Sequence, residues 1–475
     1  MLRFIFTTCL FLLLCQAVPA QVNQPHRVII LTDIEADPDD TQSLVRLLLY
    51  ANQIDIKAIV ATTSCWKRTN VEPESIIKVI KAYGEVQPNL AKHEPGFPTA
   101  YELLAKVTEG RPKYGMLGVG DGEDSPGSEW IIKELEADDD RPLWISTWGG
   151  VNTLAQALYK IRKTRSTAEA KRLTDKVRVY TISDQDDSGI WIRNNFPDLF
   201  YIVSPGDNYG SATWSAINTF VKGIDNKTIS NSWMAKHLQQ GHGALGAAYP
   251  DVAWGVEGDT PAFLSLIPNG LNDPEHPEWG GWGGRYELYL PDFSKATKGG
   301  SGVPFEAETR KIWTNAADNY TPYVYKEYGR VAKRDTTNFT NAKASLWRWR
   351  NDFQLDFAAR MDWCTQSYEE ANHPPVAVLG HPEQITVKAG QGFELDASGS
   401  TDPDGDNLTF LWFHYPEAGS YRGKVSLGAE NVHGVYLTAP EVSKQETIHL
   451  ILKLTDKGTP AITRYKRVVM TVVPE

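Results

Sequence analysis

The stretch HRVIILTDIEADPDDTQSLVRLLLYA, residues 26–51, decides the fold of this chain. Its first part, HRVIILT, is a short continuous apolar run of the kind that forms a strand buried on both faces. Acidic residues follow at once, and TQSLVRLLLYA then carries Leu44, Leu47 and Leu48 at helical spacing. The segment therefore predicts a buried strand, an acidic turn and a helix that packs back onto the sheet.

The same alternation of apolar strands and amphipathic helices continues from residue 27 to about residue 205. It predicts an α/β fold, an open and mostly parallel sheet with helices on both faces. Ligands bind such sheets at the carboxyl ends of the strands, so functional residues are expected just after each strand. The further segments of the pattern are IKAIVATT, SIIKVIKAYG, RPLWISTW, VNTLAQALYKI, KVRVYTIS, IWIRNNF and LFYIVSP.

The remainder of the chain changes character twice. Residues 206–345 are rich in Gly, Asn, Pro and Trp, which is typical of long surface loops, and residues 345–363 predict a closing helix. The Pro pair of ANHPPV marks a linker, after which short alternating strands and turn signals predict a β-sandwich. We predict a signal peptide at 1–20, the α/β domain at 21–370, the linker at 371–376 and the sandwich at 377–475.

Composition and the N-terminus narrow the class of protein. The 475 residues carry a net charge of −11, which argues against nonspecific binding of nucleic acid, since that needs Lys and Arg on the phosphates. Arg3, an apolar run and the small residues of VPA predict a secretory signal peptide cut after Ala20. The chain is thus expected to be periplasmic or secreted, without a membrane span.

The cysteines fit this assignment. Lipoprotein anchoring through Cys15 is the less favoured alternative, because the LLL before it lacks a small residue. Cleavage leaves Cys65 and Cys364, which is not a disulfide framework. Two buried free thiols are expected, with a bridge as the alternative.

The acidic turn is the strongest chemical signal. Asp33, Glu35, Asp37, Asp39 and Asp40 lie within residues 33–40 at the end of the buried strand. Like charges this close oppose one another's ionisation, which calls for a compensating cation. Oxygen ligands alone suit a hard ion, and calcium accepts more carboxylates than magnesium does. The alternative is that Asp39 or Asp40 caps the next helix and the rest is a solvated loop.

Two other segments are expected at the same edge of the sheet. TWGGVNT, residues 147–153, joins a strand to a helix, and its Gly pair would let a backbone carbonyl approach a metal. VEGDTPAFLSL, residues 256–266, puts Asp259 just before a helix that begins at Thr260 and Pro261. The alternative role for Asp259 is that of an N-cap.

Together these segments resemble the calcium-dependent nucleoside hydrolase family. Its hallmark, D-x-D-x-x-x-D-D, is matched by D-I-E-A-D-P-D-D at residues 33–40, with Glu35 where the family has Asp. The resemblance implies that Asp40 is the main calcium ligand and that Asp39 binds sugar hydroxyls. It also implies that Glu35 touches the metal and serves as general base, with Asp33 as the second candidate for both roles.

By the same resemblance, the carbonyl of Trp148 and the carboxylate of Asp259 complete the metal shell, although Gly258 replaces the usual His. More of the chain resembles an exported bacterial branch described as cellulose-binding proteins, with an Ig-like or PKD-like C-terminal sandwich. The segments that carry this resemblance are SDQDDSGIWIRNNFPDLFYI (183–202), GGWGGRYE (280–287) and DASGSTDPDGDN (396–407).

Substrate contacts are expected from two places. Gln185, Asp186 and Asp187 follow a strand, and they are predicted to bind substrate, with a polar turn as the alternative. Trp279 and Trp282 are predicted to stack on sugar rings, with burial in the loop's own packing as the alternative.

In the tail, residues 402–406 fit either a second calcium loop or a hairpin turn. The turn is favoured, because Pro-Asp-Gly is common turn chemistry.

These features predict an exported, calcium-dependent glycosidase-type hydrolase acting on a glycoside or plant-type glycan by attack of water at the anomeric carbon. The alternative is a non-catalytic carbohydrate-binding or cellulose-binding protein on the same scaffold, favoured by Glu35 and the missing His. A third possibility is that calcium stabilises the fold only. The sequence leaves open the sugar, the leaving group, the role of the tail and the oligomeric state.

Overall fold

The structure, a computed structural model, describes residues 24–206, 213–292, 302–324, 333–334 and 337–475. The predicted signal peptide lies outside the described residues. Within these ranges, every helix is too short or too polar to cross a bilayer.

The first part of the described chain is built on one large sheet. Its strands are β1 (His26–Thr32), β2 (Ile54–Ala61), β3 (Val107–Glu109), β4 (Leu143–Thr147), β5 (Val177–Thr181), β6 (Phe200–Ile202), β7 (Tyr286–Tyr289) and β8 (Ile312–Asn315). They lie in the order β3-β2-β1-β4-β5-β6-β8-β7. Neighbouring strands are parallel except for β7 with β8. The predicted open, mostly parallel sheet is confirmed.

Helices cover both faces of this sheet. Strand β1 shows why, because its apolar side chains alternate between two cores: Val28 and Ile30 belong to one, Ile29 and Leu31 to the other. The helices are α1 (Asp39–Leu48), α2 (Pro73–His93), α3 (Ala100–Leu104), α4 (Pro126–Glu136), α5 (Asn152–Thr164), α6 (Thr167–Thr174), α7 (Ser188–Asn195), α8 (Thr213–Ala216), α9 (Asn231–Met234), α10 (Gly243–Ala248), α11 (Pro261–Leu264), α12 (Ala344–Trp347) and α13 (Arg350–Asp362).

Two expectations about this part are refined. The closing helix predicted at 345–363 is two helices, α12 and α13, separated at Arg348 and Trp349. The region predicted as long loops contains short strand pairs: β9 (Asp318–Tyr320) with β12 (Phe339–Asn341), and β10 (Tyr323–Val324) with β11 (Lys333–Arg334). Cys65 and Cys364 are buried and free.

The tail forms a separate set of strands. They are β13 (Gln384–Lys388), β14 (Gly392–Asp396), β15 (Thr409–His414), β16 (Gly434–Thr438), β17 (Glu446–Thr455) and β18 (Thr463–Val473). A four-stranded sheet, β13-β18-β17-β15, and a two-stranded sheet, β14-β16, enclose a core that includes Trp412, Leu450 and Val468. This agrees with the predicted C-terminal sandwich.

The tail packs on the α/β part through an apolar and hydrogen-bonded contact. Trp282 lies between Phe353 of α13 and Tyr465 of β18, with ring centroids 6.1 and 6.4 Å away. Arg467 of β18 donates to the carbonyls of Leu271 and Gly280, at 3.0 and 2.7 Å. The main apolar core therefore continues from the sheet into the tail.

Candidate functional site

The carboxyl ends of β2, β1, β4 and β5, which are neighbours in the sheet, meet at a cavity of about 400 Å³. Asp33 follows β1, Trp66 follows β2, Trp148 follows β4 and Gln185 follows β5, so the edge expected from the strand pattern carries the site. The cavity is lined by Asp33, Ala36, Asp37, Asp39, Asp40, Trp66, Trp148, Gln185, Trp214, Trp254 and Asp259.

Three carboxylates distant in sequence converge at this cavity. One oxygen each of Asp39, Asp40 and Asp259 lies within 4.8 Å of the others, and all three residues are buried. None of the three is a helix cap: Pro38 is the N-cap of α1, and Thr260 is the N-cap of α11. The capping alternatives for these acids are therefore wrong.

Hydrogen bonds from neighbouring residues compensate only part of the charge of these three carboxylates. The hydroxyl of Thr32 donates to Asp40, and the indole Nε1 of Trp214 donates to Asp39 Oδ2 at 2.6 Å. Asp259 Oδ2 is buried and has no hydrogen-bond partner among the described residues. Burial raises the pKa of Asp39, Asp40 and Asp259 well above the usual range, and the neighbouring carboxylates raise it further.

A hard divalent cation fits this set of residues. The ligand atoms are carboxylate oxygens only, which suits calcium rather than zinc. Such an ion would compensate the converging charges and provide a partner for Asp259 Oδ2.

The glycines of TWGG make room for carboxylates. A Cβ at Gly149 would lie 2.5 Å from Asp33 Oδ1, so no larger residue fits there. The carbonyl of Trp148 accepts a hydrogen bond from the side-chain amide of Gln185. Its role as a metal ligand stays a prediction.

The packing around Gly258 shows why no His stands before Asp259 in this chain. A Cβ at Gly258 would meet the indole of Trp214 and the carboxylate of Asp39. Trp214 therefore occupies the space that a side chain at 258 would need, and its Nε1 supplies a hydrogen bond to Asp39.

The prediction that Glu35 is a metal ligand and general base requires correction. Glu35 is exposed, has a φ of 74° and is absent from the cavity lining. This left-handed turn directs it outward, while Asp33 and Asp37 face the cavity. The amine of Lys67 donates to the carbonyl of Ile34 at 2.7 Å and supports this turn.

Of the three polar residues predicted after β5, only Gln185 reaches the cavity. Asp186 is buried, where its carboxylate accepts from the backbone N–H groups of Ser188 and Asn152 at 2.9 and 3.2 Å. Burial raises the pKa of Asp186 to about 7. Asp187 accepts from the N–H of Met116 at 2.8 Å. The substrate-binding prediction is corrected for Asp186 and Asp187, because both are committed to backbone contacts outside the cavity.

The two tryptophans predicted to stack on sugars lie elsewhere. Trp282 is fully buried against the tail, so no sugar can reach its ring. Trp279 stacks on His276 at 4.0 Å and meets His449 edge-on. Neither residue lines the cavity, and the sugar-stacking prediction is corrected for both.

Other tryptophans, which were not among the predicted sugar-binding residues, lie at the cavity instead. Trp66 and Trp254 line the cavity and are 50% and 75% exposed. The position of Trp66 just after β2 was a usable signal, because the carboxyl-end rule applies to that strand as well. Trp214 had no such signal, since it reaches the cavity from the irregular region.

Comparison with known proteins agrees with this arrangement. The family described as "Cellulose-binding Sde182, nucleoside hydrolase-like domain" matches residues 27–286. "Cellulose-binding protein Sde0182, C-terminal domain" matches residues 392–472. A search of the curated proteins finds no match.

Among solved structures, a nucleoside hydrolase-related hypothetical protein from Saccharophagus degradans, associated with carbohydrate metabolism, is 37% identical. The alignment covers 95% of this chain and 100% of that chain, with a TM-score of 0.79. A PKD domain from the KIAA 1837 protein is 20% identical over 22% of this chain and 92% of that chain, with a TM-score of 0.17. The resemblance seen in the sequence is confirmed, and the chain belongs to the family described as "Cellulose-binding Sde182, nucleoside hydrolase-like domain".

Proposed function

We propose that this chain is an exported, calcium-dependent glycosidase-type hydrolase that cleaves a glycoside or plant-type glycan. The supporting observation is the convergence of Asp39, Asp40 and Asp259 beneath a cavity walled by tryptophans. A sugar is the proposed ligand because the family is described as cellulose-binding and its solved relative as associated with carbohydrate metabolism. Export rests on the predicted signal peptide at 1–20.

Asp39, Asp40 and Asp259 would hold the cation in this proposal. When bound, calcium supplies a water activated for attack near neutral pH. The buried and unpartnered Oδ2 of Asp259 supports the assignment, because an uncompensated buried carboxylate is costly.

The proton acceptor in this proposal is Asp33. It is buried at the cavity wall, where the Ser64 hydroxyl hydrogen-bonds its carboxylate. Asp37 faces the same cavity, and together these charges would stabilise the positive charge that develops on a sugar ring during glycosidic cleavage. Direct attack by water, without a covalent intermediate, would invert the anomeric centre.

The exposed indoles of Trp66 and Trp254 would hold the sugar over the acids. An aromatic face offers a large rigid apolar surface that matches the apolar face of a pyranose. The amide of Gln185, also at the cavity, would donate to a hydroxyl after giving up its bond to the Trp148 carbonyl.

The second candidate is a carbohydrate-binding protein without turnover. The outward direction of Glu35 favours it, because the family position implied as general base does not face the cavity. Both candidates use the same cavity, so they differ only in whether a bond is broken.

Release of reducing sugar separates the two. Mature protein is incubated with cello-oligosaccharides and p-nitrophenyl glycosides, with calcium or with EDTA. The hydrolase predicts calcium-dependent release that Asp40→Asn abolishes. Retention on cellulose without release from any substrate would instead establish the binding protein.

A further inference from the structure

A second cavity, which we call the tail cavity, lies where the tail meets the α/β part and has a volume of about 650 Å³. One wall comes from β9, from the break between α12 and α13 and from α13, through Tyr320, Arg348 and Asp352. The other comes from β15 and from the segment 416–430 that follows it. The tail cavity shares no lining residue with the acidic cavity described above. Its volume falls within the range of about 300–1,000 Å³ that is typical of small-ligand sites.

Ion pairs and ring contacts hold the wall around Arg348 in place. The guanidinium carbon of Arg348 lies 4.7 Å from the ring centre of Tyr320, and its Nη1 donates to Asp318 Oδ2 at 2.9 Å. Lys453, which also lines the cavity, donates from Nζ to Asp352 Oδ1 at 2.6 Å. Because both cations already have an anionic partner, this wall favours a neutral ligand over an anion.

Three side chains of the cavity wall each carry a buried polar atom without a partner. The atoms are Trp349 Nε1, His414 Nε2 and Glu417 Oε2, and none has a hydrogen-bond partner within the described ranges. Trp349 is only 3% exposed, and Glu417 Oε1 accepts from the N–H of Asn319 at 2.9 Å. Leaving such atoms unpaired is costly, so they favour a ligand that brings hydrogen-bonding groups to this wall.

The three unpartnered atoms differ in hydrogen-bonding character. The indole N–H of Trp349 can only donate, and the carboxylate of Glu417 can only accept. Burial and the charge of Arg422 lower the pKa of His414 to about 4, so its imidazole is neutral near pH 7 and each ring nitrogen either donates or accepts. A hydroxyl group both donates and accepts, so a ligand rich in hydroxyls matches all three atoms.

We propose that the tail cavity is a second carbohydrate-binding site that takes a neutral oligosaccharide, such as a segment of a cellulose chain. The exposed side chains of Asn338, Arg422 and Lys424 at the cavity supply donors to further hydroxyls. Both families that match this chain are described as cellulose-binding, and the match at residues 392–472 includes the tail side of the cavity.

This site goes beyond the proposed function, because it needs neither the cation nor bond cleavage. The cluster of Asp39, Asp40 and Asp259 is no part of its lining. A sugar in the tail cavity would contact the tail and the α/β part together. Its role is to hold the protein on a glycan, while the acidic cavity carries the chemistry.

Hydrogen exchange followed by mass spectrometry distinguishes the two cavities, because it reports where a sugar binds. The mature full-length protein is measured with and without cellohexaose, in EDTA. The proposal predicts that the sugar slows exchange at residues 319–321 and 422–430. Unchanged exchange at both segments, up to the solubility limit of the sugar, would overturn the proposal.

A variant of the wall tests the contact itself. Glu417→Gln keeps the size of the side chain and removes the charged acceptor, so half-maximal protection should need roughly tenfold more cellohexaose. The matched control is Glu394→Gln, an exposed residue of β14 outside the lining, which should behave as the wild type does. An unshifted titration in a Glu417→Gln chain that is folded by circular dichroism would overturn the proposal. If that variant does not fold, the wild-type measurement decides.

This proposal and the proposed function fail separately. Asp40→Asn should keep the protection at the tail cavity, and its loss there would contradict a site that is independent of the cation. Protection in a protein that releases no reducing sugar would support the second site and refute the hydrolase. Calcium-dependent release without this protection would do the reverse.

Discussion

The guanidinium of Arg46 and the carboxylate of Glu257 form an ion pair with both side chains fully buried. Arg46 Nη2 lies 2.9 Å from Glu257 Oε1, and the hydroxyls of Tyr249 and Thr260 donate to the same carboxylate at 2.8 and 3.0 Å. Helix α1 thus carries Asp39 and Asp40 at its start and binds the segment of Asp259 near its end. This pair holds the three carboxylates together against their repulsion.

Breaking the pair should therefore affect both stability and metal binding. Arg46→Met leaves Glu257 buried without its counter-charge, so we expect a loss of about 3–5 kcal/mol in the free energy of unfolding. Urea unfolding measures it. The control, Lys171→Met, breaks the exposed pair with Asp175 and should leave the free energy of unfolding almost unchanged. Equal losses in the two variants would contradict the role given to Arg46.

Calcium should reverse the order of stability of the wild type and the Asp259→Asn variant. Without metal, the variant should unfold at a higher temperature than the wild type, because one repelling charge is gone. At a calcium concentration of 100 times Kd, the wild type should gain about 2.7 kcal/mol and the variant far less. Thermal unfolding in EDTA and in calcium tests this. An equal calcium response would contradict the prediction.

Asp33 and Glu35 should differ sharply in their effect on turnover. Asp33→Asn should lower kcat by roughly 10²–10⁴, which is the usual contribution of a general base. Glu35→Gln should leave kcat within about twofold, because Glu35 is exposed and outside the cavity lining. The sugar-release assay measures both. A large loss in Glu35→Gln alone would restore the role implied by the family motif.

Trp254→Ala should weaken binding of a cello-oligosaccharide. Loss of one exposed stacking face should cost about 1 kcal/mol, or roughly fivefold in Kd. Titration calorimetry measures it, with Tyr101→Ala as the control, since Tyr101 is 83% exposed and outside the cavity lining. An unchanged Kd for Trp254→Ala would remove this indole from the proposed sugar contact.

Asp362 should make the protein less stable as the pH rises. Burial raises its pKa from 3.8 to about 6, so its folded form favours the proton. The stability it contributes is present below pH 3.8 and is lost as the pH rises through 6. The Nδ1 atom of its neighbour His242 lies 3.6 Å from Asp362 Oδ1, and burial lowers the pKa of His242. Asp362→Asn should match the wild type near pH 4 and exceed its free energy of unfolding at pH 8.

Urea unfolding at both pH values checks this prediction. Asp396→Asn provides the opposite sign, because hydrogen bonds from Ser398 lower the pKa of Asp396. That variant should be no more stable than the wild type at pH 8. A pH-independent effect of Asp362→Asn would contradict the argument.

The sheet and the acidic convergence could be predicted because both follow from local patterns. Continuous apolar strands require cover on two faces, and their carboxyl ends share one edge, which brought Asp33 and Trp148 together. The position of Glu35 could not be predicted, because motif spacing does not reveal the left-handed backbone that turns it outward.

The tryptophans show a second limit of prediction from the sequence. Trp282 is predicted to stack on a sugar because its aromatic face matches the apolar face of a sugar ring, with burial as the alternative. Its surroundings include Tyr465, which is distant in sequence and could not be read from the loop itself. Trp214 reaches the cavity from the four-residue helix α8 and Trp254 from a loop, and no hydrophobic period in the sequence specifies the path of either segment.

The burial of Trp282 between Phe353 and Tyr465 has a consequence for how the chain can be divided. Removal of the last hundred or so residues would expose a broad apolar area on the α/β part, including aromatic rings that are buried in the whole chain. Such a fragment should aggregate in solution. The C-terminal part therefore cannot be removed without exposing apolar surface. Replacing it with another domain would require changes to the surface of the α/β part that it covers.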